Sequence, residues 1–188
     1  MESIVWRILY WAWVVSEVVV AVATRTRTSS GTVRDRGSML LLWVVIFTSI
    51  SAGSWYGAVH APTMFGGAAW VKTAALAMLA AGVAVRWTAI MSLGRAFSVN
   101  VAIHAGQTLY RRGLFAVVRH PSYTGMLMIF AALGVWTENW WSVGMIVAPP
   151  FVALLYRIRV EEAVLTEAFG AEYVEYRRAT WRLVPGIY

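Results

Sequence analysis

The chain has 188 residues, 60% of them hydrophobic and only 13% charged, where a soluble domain carries nearer a quarter charged residues. There is no Cys, which excludes disulfides, thiolate nucleophiles and Cys-ligated zinc. The net charge of +7 comes from arginines gathered in particular loops, a mark of membrane topology and not of nucleic-acid binding.

The 11 Trp, 8 Tyr and 7 Phe are a heavy load of the residues that form interfacial belts, and the length suits one compact membrane bundle, residues 1–188. Five apolar runs follow in chain order, at about 4–23, 39–59, 69–91, 122–136 and 141–158. A spanning helix needs roughly 17–25 residues. The first three runs qualify alone. The first starts near residue 1 and lacks a small-residue cleavage site, so it reads as a retained helix and not a signal peptide. The fourth and fifth are short and separated by Thr137, Glu138, Asn139 and Trp140, which reads as a tight helical hairpin.

Arginine placement sets the orientation. Arg25, Arg27, Arg34 and Arg36 follow the first run, Arg95, Arg111, Arg112 and Arg119 follow the third, and Arg157, Arg159, Arg177, Arg178 and Arg182 follow or close the fifth. The segments 60–68 and 137–140 hold no Lys or Arg. Five crossings put every arginine-rich segment on one side, so the N-terminus is expected outside and the loop at about 92–120 and the tail at about 159–188 in the cytoplasm. Within the loop, Phe97, Val99, Val101 and Ile103 alternate with smaller or polar residues, an extended pattern. In the tail, Leu165, Phe169, Tyr173 and Tyr176 recur at helical spacing, predicting an amphipathic helix from Glu161 to Tyr176.

The chemistry concentrates at Arg119–Gly125, which reads R-H-P-S-Y-T-G. Pro121 disfavours helix at the residue before it and suits the first turn of a helix after it. A helix starting there points its unpaired N–H groups and positive dipole end back at Arg119 and His120, an anion-binding arrangement. If the hairpin closes, Glu161 and Glu162 come beside this basic pair and form a site shaped for a zwitterion. Arg86, inside the third run, either extends to the interface or pairs with Glu17 at similar depth in the first. Arg157, Arg159, Glu161 and Glu162 read equally as local salt bridges at a helix–water junction. His60, His104 and His120 lack metal-ligand spacing. No phosphate-cradling glycine fingerprint and no Gly-x-Ser-x-Gly elbow occur.

The ordered series L-G-R-A-F-S from Leu93 to Ser98, then His104, Leu109, Gly113, Phe115 and R-H-P-S-Y-T-G, resembles the isoprenylcysteine carboxyl methyltransferase family. The tail continues the pattern with Glu161-Glu162, Leu165, Phe169-Gly170, Glu172-Tyr173, Tyr176 and Arg182-Leu183-Val184-Pro185. The resemblance covers about residues 86–188, and the first two runs match only in being apolar. One departure is Gly113-Leu114-Phe115 where the family has a Gly-Pro-Tyr-like step. Sterol reductases and phospholipid N-methyltransferases end similarly, and fold alone does not settle the reaction.

The resemblance implies an all-α membrane protein of five transmembrane helices, with the cytoplasmic loop and the C-terminal amphipathic helix forming a pocket for S-adenosylmethionine. Carried over, it implies that His104, Gln107, Leu109, Gly113, Arg119, His120, Pro121, Tyr123 and Glu162 hold the cofactor. Glu161 would meet its amino group or act as a base, and Arg157 or Arg159 would meet the carboxylate of a lipophilic or lipidated acceptor. Membrane lipids are the expected surroundings, with no nucleic acid and no metal. The competing readings are a lipid-amine N-methyltransferase, a sterol-type NADPH reductase that would use Arg111, Arg112 and Arg119 for phosphate, and a non-catalytic membrane binding protein.

Overall fold

The computed structural model describes residues 2–23, 37–94, 97 and 108–188, and six α-helices and two 3-10 turns make up the regular structure among them. The helices are α1 (Glu2–Ala23), α2 (Gly37–Val59), α3 (Trp70–Leu93), α4 (Pro121–Trp136), α5 (Trp140–Phe169) and α6 (Ala171–Ala179). Four of them, α1, α2, α3 and α5, are long and apolar enough to cross a membrane. In lipid the backbone must bond to itself, so such helices are the expected solution, and the chain is an integral membrane protein. Of the alternating piece at 97–103, Val99, Val101 and Ile103 lie outside the described residues.

α4 is shorter, 16 residues or roughly 24 Å at 1.5 Å per residue. Its position explains how so short a helix serves. It packs on both α3 and α5 and buries Met126, Ile129, Phe130, Ala132 and Leu133 in the core. The outer helices carry the lipid-facing surface: Ile4, Ile8, Trp11, Val15, Val18 and Val22 of α1 and Leu40, Phe47 and Trp55 of α2 are exposed. Exposed apolar side chains on a single face of a long helix are what a hydrocarbon solvent accepts.

α3 and α4 approach through paired glycines. A Cβ on Gly125 would lie 2.7 Å from both the Arg86 backbone N and the Gly82 backbone O, and one on Gly82 would lie 2.9 Å from the Gly125 carbonyl. Small residues at such crossings let backbones touch and collect dispersion energy that side chains would prevent. The contact seats Arg86 of α3 against Ser122 in the first turn of α4.

The arginine-poor end is closed by the hairpin turn. Asn139 caps α5, its side-chain oxygen accepting from the N–H groups of Trp141 and Ser142, the usual way to satisfy first-turn donors. Its amide donates to the Ala61 carbonyl at 3.1 Å, and the Glu138 carbonyl accepts from Thr63 and Met64. Lys72 pairs with Glu138 at 3.2 Å, and Trp6 of α1 stacks on Trp136 of α4 with centroids 4.0 Å apart.

The tail differs from the expected separate helix over Glu161–Tyr176. α5 runs for 30 residues from Trp140, through the fifth apolar run and on to Phe169, despite Pro149 and Pro150 within it. No breaker follows until Gly170, which adopts φ +55°. Glycine takes this left-handed value without Cβ strain and ends the helix. α6 then starts afresh. The amphipathic stretch is therefore two pieces, the polar end of α5 and the nine-residue α6.

Gly125→Ala should destabilise the bundle through overpacking by roughly 1–3 kcal/mol, seen as a lower Tm in detergent. The same change at Gly144, where an added Cβ meets nothing within 4 Å, should leave Tm nearly unchanged.

Candidate functional site

The segment before α4 is held at both ends. A 3-10 turn over Gly113–Ala116 leads into it, with Gly113 at φ +58°, which accounts for a glycine here although Leu114-Phe115 follow it. On the other side the chain after α6 runs back along the segment. The Arg119 N–H donates to the Trp181 carbonyl at 2.8 Å, the His120 N–H to the Arg182 carbonyl at 3.1 Å and the Trp181 N–H to the Val117 carbonyl at 3.0 Å. The Thr124 hydroxyl donates to the Leu183 carbonyl at 2.7 Å. Pro121 occupies the first turn of α4 and His120 its cap position, so Arg119 and His120 are fixed at the start of a buried helix.

Glu162 is the ionic centre. It is 3% exposed. Its Oε1 accepts from Arg119 Nε at 3.0 Å and faces His120 Nε2 at 3.4 Å, and its Oε2 accepts from Arg182 Nε at 3.0 Å and Nη2 at 2.8 Å. A buried carboxylate so surrounded is charged and bonded on both oxygens. Hydrogen bonding to Glu162 in turn holds Arg182 above its ordinary pKa. Arg119 also donates to the carbonyls of Arg177, at 3.0 Å, and Thr180. The expected meeting of Arg119 and His120 with the acidic pair occurs, with one difference. Glu162 does not line the cavity beside it; it braces residues that do.

That cavity measures roughly 1370 Å³ with its open mouth included. Arg119, His120, Tyr123, Arg157 and Glu161 form a polar part of its lining, and Val20 of α1 with Leu42, Trp43 and Ile46 of α2 an apolar part. The Tyr123 hydroxyl donates to Glu161 Oε2 at 2.9 Å and is hydrogen-bonded to Arg157. His120 stacks on Tyr123 with centroids 5.6 Å apart, and its Nδ1 lies 3.8 Å from Glu161 Oε2.

Helix geometry decides between the two arginines of α5. Arg157, Glu161, Leu165 and Phe169 all line the cavity, one i, i+4 stripe on the helix. Arg159 stands two residues, about 200°, away from Arg157 on a 3.6-residue helix, and it is exposed. It is not part of the cavity. Pro121 and Leu109 line the wall, Gly113 does not, and His104 and Gln107 lie outside the described residues. The suggested phosphate cluster is dispersed: Arg111 pairs with Glu172 at 2.8 Å, Arg112 is exposed and Arg119 turns to Glu162.

The pair Arg86–Glu17, both residues buried, also lines the cavity. Arg86 donates to Glu17 through Nε and, at 2.5 Å, through Nη2, and to the Ser122 hydroxyl at 2.8 Å through Nη1, while Trp13 Nε1 donates to Glu17 Oε1 at 3.0 Å. The pairing alternative is the one realised, as expected for a charge inside a membrane bundle. α6 supplies Tyr173 and Tyr176 as a further wall. Burial pushes the Tyr176 phenol up to about 12 and raises that of Tyr173 as well, and the Tyr176 hydroxyl donates to the Phe115 carbonyl at 2.7 Å. Sequence reading gave these tyrosines and Arg182 no place in the site. The signal was present in the 157–161–165–169 phase of α5, which points the same face at whatever follows Gly170.

The family model for the isoprenylcysteine carboxyl methyltransferase (ICMT) family matches residues 75–167. Protein-S-isoprenylcysteine O-methyltransferase B of Arabidopsis thaliana is 31% identical over 130 residues, covering 62% of this chain and 60% of the relative. The protein-S-isoprenylcysteine O-methyltransferase of Schizosaccharomyces pombe is 32% identical over 109 residues, covering 57% and 46%. A solved structure of the eukaryotic intramembrane Ras methyltransferase ICMT superposes with a TM-score of 0.60 at 20% identity, over 83% of this chain and 55% of that one. The chain thus spans about 60% of the length of the Arabidopsis relative. The matched segment holds Arg86, the R-H-P turn, Arg157, Glu161 and Glu162, and ends before α6.

Removing one partner of a buried ion pair strands the other, at about 3–5 kcal/mol, whereas an exposed pair contributes about 0–1 kcal/mol. Glu162→Gln and Glu17→Gln should each lower unfolding stability in detergent by roughly 3 kcal/mol. Glu172→Gln, at the exposed pair with Arg111, should fall within about 1 kcal/mol of wild type.

Proposed function

We propose that the chain, whose residues 75–167 match the model of the isoprenylcysteine carboxyl methyltransferase family, transfers a methyl group from S-adenosylmethionine to the carboxylate of a lipophilic, isoprenylcysteine-like acceptor. The observation that carries the reading is the mixed lining of the cavity, charged at Arg119, His120, Arg157 and Glu161 and apolar at residues of α1 and α2. One ligand of each character fits such a space, and the stripe Arg157–Glu161–Leu165–Phe169 runs along it.

The residues present suit the cofactor. Glu161 and His120 would meet a primary ammonium, Arg119 braces that part of the wall through Glu162, and Tyr123, Tyr173 and Phe169 would offer aromatic faces to an adenosine. S-adenosylmethionine, when bound, supplies an electrophilic methyl group on a sulfonium sulfur. The chain's part is to bind, orient and exclude water. Arg157, 1% exposed and hydrogen-bonded to Tyr123, is placed to hold an acceptor carboxylate by charge-assisted bonds. Such a carboxylate has a reference pKa of about 3.5 and is ionised at neutral pH, so no general base is needed. Burial of Arg157 in the cavity wall limits competing solvent and favours a fixed approach.

Topology follows the same reading. α4 crosses together with the four longer helices, its short span made good by enclosure in the bundle. The arginine-rich segments then share the cytoplasmic side and the N-terminus lies outside. The cofactor arrives from the cytoplasm, and the acceptor from the bilayer past the apolar residues of α1 and α2.

S-adenosylhomocysteine at 100 times its Kd should stabilise the purified protein by about 2.7 kcal/mol, and NADPH should not; the reverse pattern would reject methyl transfer. Methylation of a lipophilic carboxylate should persist at pH 6, where an amine acceptor would lose rate through protonation. Arg157→Gln should lower kcat/KM by about tenfold or more, and the exposed Arg159→Gln by far less.

A further inference from the structure

Arg182 lies beyond the segment matched by the family model and outside the cavity lining, yet it takes Glu162 Oε2 with two N–H donors at 2.8 and 3.0 Å. This leaves Oε1 for Arg119 at 3.0 Å and for His120 Nε2 at 3.4 Å. A charged carboxylate only accepts. Both ring nitrogens face a carboxylate, but only Nε2 is within hydrogen-bond distance of its own, so the hydrogen of a neutral His120 ring belongs on Nε2, and the lone pair on Nδ1. Nδ1 is the nitrogen turned to Glu161, the cavity-lining carboxylate, at 3.8 Å. The two nitrogens thus face separate carboxylates, one behind the cavity and one on its wall, and only the first is hydrogen-bonded to the ring.

We propose that Arg182 is a positioning residue: by orienting the Glu162 carboxylate it fixes the tautomer of His120, so that Nδ1 and Glu161 form a corner that accepts hydrogen bonds from a primary ammonium. The choice of ligand rests on the proposed methyl-transfer reading; the tautomer does not. The same logic orients metal-bound histidines, where the partner of the remote nitrogen sets the ring's state. Three further contacts make Arg182 suited to the task. Its Nη1 bonds the Tyr188 hydroxyl, its guanidinium stands over the Tyr188 ring at 5.1 Å, and its own carbonyl accepts from the His120 N–H at 3.1 Å. One residue therefore holds both the backbone and, through Glu162, the ring of His120. Lysine has one charged nitrogen and no fork, so it can keep the charge without the two-point grip.

The test uses the full chain in nanodiscs with 15N-labelled histidine, at a pH where the ring is neutral. The His120 resonances are assigned by their loss in His120→Gln. Wild type should show the Nε2–H form. Arg182→Gln should show a mixture of tautomers, and Arg182→Lys an intermediate population, with helical circular dichroism kept. S-adenosylhomocysteine affinity should fall about tenfold in Arg182→Gln, while an analogue lacking the amino group should bind wild type and variant within about twofold of each other. An unchanged His120 tautomer in Arg182→Gln overturns the proposal; if that variant does not fold, an unchanged tautomer in Arg182→Lys does so. Equal losses for the two ligands overturn the ammonium corner. Absence of S-adenosylhomocysteine binding to wild type counts against the methyl-transfer reading instead, and leaves the tautomer result standing.

Discussion

One carboxylate joins three separate parts of the chain. Glu162 projects from α5, Arg119 and His120 precede α4, and Arg182 follows α6. Without a negative charge at this point two guanidinium groups would face each other in a site almost closed to water, an arrangement too costly to persist. With it, the turn before α4, the polar end of α5 and the returning tail share one location. The backbone pairing of residues 117–120 with 181–182 then has a fixed register, and the cavity acquires a defined polar wall.

A second buried charge pair stands deeper. Arg86 and Glu17 tie α3 to α1, and the bond to Ser122 carries the tie to α4. The two ionic groups serve the cavity differently: Arg86 and Glu17 line it, and Glu162 stands behind lining residues. Apolar side chains fill what remains of the wall. Such a layout gives the interior two environments without a second domain, because charge inside lipid is tolerated only where it is paired. The close glycine contact of α3 with α4 supports the arrangement by bringing Arg86 within reach of Ser122.

Much of the fold was legible because lipid imposes simple rules. Long apolar runs became helices, and Asn139 sits where a cap was needed. The Arg86–Glu17 pair was one of two readings, and the scarcity of unpaired charge in a membrane favours the one observed. What escaped was continuity. The change from apolar to polar at about residue 159 reads as an end, but backbone bonding ignores solvent, and nothing before Gly170 interrupts α5. That continuity also separates Arg157 from Arg159, since helical phase, and not proximity to the membrane, chooses which faces the cavity. The role of Glu162 escaped for a related reason: two adjacent acids look interchangeable in sequence, yet neighbours on a helix point about 100° apart. His104 and Gln107 lie outside the described residues.

The unbroken course of α5 bears on how such a chain can vary. Its membrane part and its site residues belong to one continuous helix of 30 residues, so the length of the stretch between them sets their relative phase. Inserting or deleting one residue between Pro150 and Arg157 would turn everything beyond it by about 100° and shift it by 1.5 Å. Arg157 would leave the cavity and Glu162 would leave its arginines together. Length variation in this stretch is therefore quantised to near-whole turns.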